Sequence, residues 1–157
     1  MPQVSRRRTR KLLFQKLYSE SFSHVENESF FESFVDNVHD FDIDQNYLKE
    51  MFDLIINNET LLLGLVHKYA PKFDLEKMNT MYVLPIFIWA TEMLLLKEEI
   101  PAKVSINESV EIAKAFWDNS AKKIVNGVLN RIFEDYDSIK DNLEVSQDIK
   151  FSLFKKQ

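Results

Sequence analysis

Only two glycines, Gly64 and Gly127, occur in the 157 residues of this chain. That scarcity removes much of the catalogue of folds. Glycine supplies the positive-φ corners of tight hairpins and the close backbone approach of phosphate-cradling loops. A glycine-rich nucleotide loop cannot be built here, and a strand-rich fold with frequent turns is disfavoured. Helices need no glycine, and the apolar residues recur at helical spacing along the chain. The expected fold class is therefore all-α.

The helices can be placed from their start and stop signals. Ser5 is an N-cap for a first helix to about residue 22, with Leu12, Leu13 and Leu17 on one face. Residues 28–38 form a short helix with Phe30, Phe31, Phe34 and Val35 inward. Asp44 caps a long helix that Pro71 closes after Tyr69. Asn79 opens a helix from 80 to about 98, with Pro85 disturbing its first turns. Ser105 and Glu108 have the spacing of a capping box and open a helix to about Phe116. Asn119 or Ser120 starts a last helix reaching about Ile139. Gly127 falls inside it, where glycine costs roughly 1 kcal/mol against alanine; close approach of a neighbouring helix is the expected return. No linker or repeat interrupts the chain, so residues 1–142 are expected to form one domain, followed by a C-terminal tail over 143–157.

Several chemistries are excluded or left without support. The absence of cysteine rules out disulfides, thiolate metal sites and cysteine nucleophiles. His24, His39 and His67 lie in different elements without ligand spacing. Asp40, Asp42 and Asp44 alternate, but the turn glycine and later glutamate of a calcium loop are missing. No cofactor or metal is expected, nor a catalytic nucleophile with its base. The longest apolar stretch, 81–96, contains Thr91 and Glu92 and falls short of the ~20 residues of a membrane span. A soluble cytoplasmic protein without membrane contact is expected.

Charge is distributed unevenly. Residues 1–19 hold Arg6, Arg7, Arg8, Arg10, Lys11 and Lys16 and no acid, so against a net charge of −5 the remaining chain carries −11. Such asymmetry suggests a polyanionic partner. The arginines lie on the opening turns of an amphipathic helix, where positive charge opposes the helix dipole and a bound anion relieves it.

Two segments resemble the NusB family of bacterial transcription antitermination factors. The first is Arg6-Arg7-Arg8-Thr9-Arg10 with Gln15-Lys16-Leu17-Tyr18. The second runs from Ile100-Pro101-Ala102-Lys103-Val104-Ser105-Ile106-Asn107-Glu108 to Val125-Asn126-Gly127-Val128-Leu129. The resemblance implies a NusB-type helical domain of about seven helices in two small bundles. It implies binding of boxA RNA, a short single-stranded element of ribosomal RNA leaders, together with the ribosomal protein NusE, within the antitermination complex of RNA polymerase. It also implies RNA contacts by Arg6, Arg7, Arg8 and Arg10, whose guanidiniums fork onto phosphates and stack on bases. Tyr18 matches the family tyrosine and either stacks a base or packs beneath the helix. Lys123 adds a phosphate contact. Asn107 and Asn126 are expected as a buried hydrogen-bonded pair setting a helix crossing.

The chain departs from the family where a turn reads Trp117-Asp118-Asn119-Ser120-Ala121, and over 79–93, where charged positions have become Tyr82, Val83 and Phe87. Exposed, these three would form a partner-binding face; otherwise they repack against Phe73 and the tail. The alternative function is accordingly a NusB-fold interaction module, self-associating and without specific RNA binding. A similar domain precedes the catalytic part of some ribosomal RNA methyltransferases, but no cofactor-binding segment follows here, so an enzyme is not expected.

Overall fold

The computed structural model describes residues 5–21, 43–71, 80–96, 100–116, 119–141 and 153–154. These form seven helices: α1 (Arg6–Glu20), α2 (Gln45–Asn57), α3 (Glu59–Tyr69), α4 (Thr80–Leu94), α5 (Ala102–Phe116), α6 (Asn119–Glu134) and α7 (Tyr136–Asp141). No strand occurs among the described residues, and no helix there is long and apolar enough to cross a membrane.

The apolar distribution dictates the arrangement. Val83, Leu84, Ile86, Phe87, Ile88 and Trp89 of α4 are all buried. A helix that is apolar all round must sit in the middle of a bundle. Accordingly α4 packs against α1, α2, α3, α5 and α6. Helices α1 and α2 also pack on each other, as do α5 and α6, so two small helix groups share α4 as their common member. Pro85 is buried at the sixth position of α4. It has no N–H to give the carbonyl of Met81.

Local signals fix the first helices. The Ser5 hydroxyl accepts the Arg8 N–H at 3.1 Å, and the Asp44 carboxylate accepts the Tyr47 N–H at 3.1 Å. Both satisfy an otherwise orphaned donor of a first helical turn. The Thr9 hydroxyl joins the two starts: it donates to the Ser5 carbonyl at 2.7 Å and accepts the Asp44 N–H at 2.9 Å.

Other boundaries differ from the sequence expectation. The long helix after Asp44 is two helices, broken at Asn58, whose φ of −119° and ψ of 26° leave the helical region. The Asn58 amide donates to the Leu54 carbonyl at 2.8 Å, so its side chain competes for a ladder acceptor. Helix α4 ends at Leu94. The last long helix breaks at Asp135, whose carboxylate accepts the Tyr69 hydroxyl at 2.8 Å and whose carbonyl accepts the Ile139 N–H at 2.9 Å. Ser105 and Glu108 are not a capping box: α5 has already begun at Ala102, the Ser105 N–H reaches the Pro101 carbonyl, and the Ser105 side chain is buried. Asn107 and Asn126 are exposed and set no crossing. No heavy atom lies within 4 Å of a Cβ built on Gly127, so no close helix approach requires that glycine.

The proposed partner face is also corrected. Val83 and Phe87 are buried and Tyr82 is half-buried. The Phe87 ring meets Phe154 edge-on at 6.3 Å. The apolar substitutions thus repack α4 against the C-terminal segment, where Leu153 and Phe154 are buried and both backbone N–H groups donate to Glu59. The short helix expected over 28–38, the cap Asn79, Phe73, His24, His39, Asp40, Asp42 and the turn residues Trp117 and Asp118 lie outside the described residues.

Candidate nucleic-acid interface

The first turns of α1 distribute their arginines by helical phase. Arg6 and Arg10, four residues apart, face the same way. Arg6 Nη2 donates to Asp44 Oδ2 at 2.9 Å, and its guanidinium lies 4.2 Å from the centroid of the Tyr47 ring. Arg10 is buried, and its Nε donates to Glu92 Oε1 at 2.6 Å. Arg7 and Arg8 point outward.

Around Glu92 the chain builds a buried polar cluster. Its carboxylate accepts Arg10 Nε–H, the Tyr47 hydroxyl and the Ser105 hydroxyl, joining α1, α2, α4 and α5. A buried carboxylate is tolerable only when paired and hydrogen-bonded, and this one is both. Burial, and then the Glu92 charge, push the Tyr47 phenol well above the ordinary tyrosine range. Burial alone would weaken the Arg10 charge; the attraction and hydrogen bond of Glu92 outweigh it and raise the pKa.

Glu108 connects this cluster to the surface. It accepts Arg7 Nε–H at 3.0 Å and Arg7 Nη2–H at 2.9 Å, a side-on fork between helices α1 and α5. Arg10 Nη1 lies 3.9 Å behind it. The hydrogen bond from Arg7 holds the Glu108 carboxyl below its ordinary value, aided by the charges of Arg7, Arg10 and Lys11 and opposed by desolvation. The same hydrogen bond and charge raise the Arg7 pKa.

The basic segment is therefore less exposed than its sequence suggests. Arg10 is not available to a ligand, contrary to expectation, because it neutralises Glu92 in the core. Lys16 is also buried, over the Phe52 ring at 4.2 Å, and desolvation lowers its pKa. Arg6 is half-buried against Asp44 and Tyr47. The outward surface is formed by Arg7 and Arg8, with Lys11 half-buried beside them. Tyr18 is half-buried two turns further on, with its ring near-parallel to Phe14 at 6.4 Å. Lys123 is exposed in the second turn of α6, a helix packed on α3, α4 and α5.

Sequence reasoning did not find the acids that organise this surface. Two signals were present. Glu92 is the only charged residue between Met81 and Leu96, and a lone acid in an apolar helix needs a buried cation. Arg10 lies three, four and seven residues before Leu13, Phe14 and Leu17, in the buried phase of α1. Among the described residues no group of three histidines or acids is arranged to hold a metal.

The NusB family model matches residues 7–134. The transcription antitermination protein NusB of Klebsiella pneumoniae is 32% identical over 131 residues, covering 83% of this chain and 93% of that protein. Its namesake in Clostridium perfringens is 29% identical over 134 residues, covering 84% and 98%. Among solved structures, NusB of T. maritima superposes with a TM-score of 0.71 at 24% identity, covering 85% of this chain and 93% of that one. A NusB solved with NusE and double-stranded RNA superposes at 0.67 with 21% identity, covering 83% and 97%.

Proposed function

Because the chain belongs to the NusB family, we propose that it is a transcription antitermination factor. In this reading it binds boxA-type single-stranded RNA of ribosomal RNA leaders together with NusE, within the cytoplasmic antitermination complex of RNA polymerase. It is a binding protein, with no chemical step of its own. The observation that carries the reading is the opening of α1: an arginine pair, Arg7 and Arg8, facing outward from a capped and cross-tied helix start inside the family-matched region. Arg8 serves as a phosphate contact, since a planar guanidinium forks onto phosphate oxygens. Lys123 adds a charge, and Tyr18, half-buried with its ring near-parallel to Phe14, offers the exposed part of its side chain.

The interaction-module alternative lost its motive when Val83 and Phe87 proved to be core residues. The test is fluorescence anisotropy of labelled boxA RNA, with and without NusE, against a base-scrambled RNA of equal length. Preference for boxA, strengthened by NusE, is expected. Equal binding of both RNAs, indifferent to NusE, would end the reading. Arg8→Ala should weaken boxA binding while leaving the fold intact, because Arg8 is exposed.

A further inference from the structure

Arg7 is 62% exposed, yet its guanidinium is held at two atoms by Glu108, which is only 15% exposed. Exposed ion pairs are ordinarily loose, because ordering two long side chains offsets most of the attraction. This one is backed by the interior. Behind Glu108 stands Arg10, and Arg10 is locked on Glu92 with the Tyr47 and Ser105 hydroxyls. Four charges alternate from surface to core, Arg7, Glu108, Arg10 and Glu92, and their sum is zero.

Two consequences follow from that geometry. The Nε/Nη2 edge of Arg7 is already occupied, so the edge fork it would offer a phosphate is taken. The charge it would contribute at a distance is cancelled by Glu108. What is left to a ligand is the face of a guanidinium of fixed orientation, with the remaining N–H groups on Nη1 and Nη2 at its outer rim. Arginine planes stack on unpaired nucleobases, and a plane fixed beforehand does not lose its rotamer freedom on binding.

We infer that the Arg7–Glu108 fork is a preset stacking platform for one unpaired base of the RNA, with Glu108 as its positioning residue. The inference rests on the RNA-binding reading above and divides the arginine pair by role: Arg7 holds a base, Arg8 a phosphate. It reverses the simple electrostatic expectation. An acid beside an RNA surface should repel phosphate, so its removal should tighten binding; as a positioning residue, its removal should loosen it.

The experiment measures wild type, E108Q, E108D and Arg7→Lys against boxA RNA and against a series in which each base in turn is replaced by an abasic site. E108Q should bind boxA about 3- to 10-fold more weakly, the range for freeing one long side chain. E108D should recover part of that loss. Arg7→Lys, which keeps the charge but not the plane, should also weaken binding. Against the one RNA lacking the stacked base, the E108Q penalty should vanish. A general structural defect would instead persist against every RNA in the series, and that result would overturn the inference, as would unchanged or tighter binding by E108Q. If the wild type shows no preference for boxA, the RNA-binding reading and this inference fall together. Wild-type preference combined with a tighter E108Q would remove the platform alone.

Discussion

At the scale of single residues, the buried Arg10–Glu92 pair is the most demanding feature of the molecule. Their side chains are 5% and 0% exposed, and either one alone would be an uncompensated charge in the core. Removing one partner of such a pair typically costs about 3–5 kcal/mol. Arg10→Ala should therefore lower the unfolding free energy by about that amount in urea titration, whereas Arg8→Ala should stay within about 0.5 kcal/mol of wild type. A small effect of Arg10→Ala would mean that water already reaches Glu92. The pH response of Glu108 has a definite sign. Its folded pKa lies below the ordinary 4.5, so its contribution is complete above the unfolded value and disappears as pH falls through the folded one. E108Q should thus be less stable than wild type at neutral pH, and the gap should shrink as the pH falls below 4.5. A gap that stays constant on acidification would show that the ion pair contributes nothing to stability. Residues of this kind were only half legible. The arginine run was plain and the buried phase of α1 marked Arg10, but the acids that receive Arg10 and Arg7, Glu92 and Glu108, lie 82 and 101 residues away, and no local spacing records either pairing. Asn107 and Asn126 were misread for the same reason: motif position says nothing about burial.

At the scale of elements, starts read better than stops. The Ser5 and Asp44 caps were legible because a cap is a contact within one turn. The breaks at Asn58 and Asp135 were not, because the apolar spacing runs through both, and at Asp135 the deciding contact comes from Tyr69, 66 residues away. Pro101 and Ser105 show how a motif misleads: the serine has cap-box spacing, yet it sits a turn inside the helix as a donor to Glu92. The C-terminal segment gave weak cues; its two described residues, Leu153 and Phe154, are held by backbone as much as by side chains. Glu59 accepts the N–H groups of Leu153 and Phe154, while Phe154 packs on Phe87. Phe154→Ala should cost about 3–5 kcal/mol. It should also speed hydrogen exchange at the Leu153 and Phe154 amides; slow exchange in that variant would show that Glu59 alone secures the segment.

At the scale of the whole molecule, the fold was legible because one helix, α4, is apolar on every side and the others are amphipathic; a chain so built closes around that helix. The basic segment was legible as a location and not as a surface charge count. Six basic residues crowd the first 19 positions, but the folded chain withdraws Arg10 and Lys16 into the core and pairs Arg6 and Arg7 with acids. Two to three effective phosphate contacts on single-stranded RNA give a slope of log affinity on log salt of about −1.4 to −2.1. A slope near −4 in anisotropy titrations would mean that the internal ion pairs open when RNA binds.

The Arg7–Glu108 fork joins residues 101 positions apart in the chain, and this separates the protein from arginine-rich segments that work as detachable modules. A synthetic peptide of residues 1–21 would keep every cation and lose Asp44, Glu92 and Glu108. It would be a marginal helix on its own, with six cations against the single acid Glu20 and no preset plane. Such a peptide would adhere to polyanions at large. The discrimination belongs to the folded body, so grafting the arginine run onto another scaffold would transfer the stickiness and leave the selectivity behind.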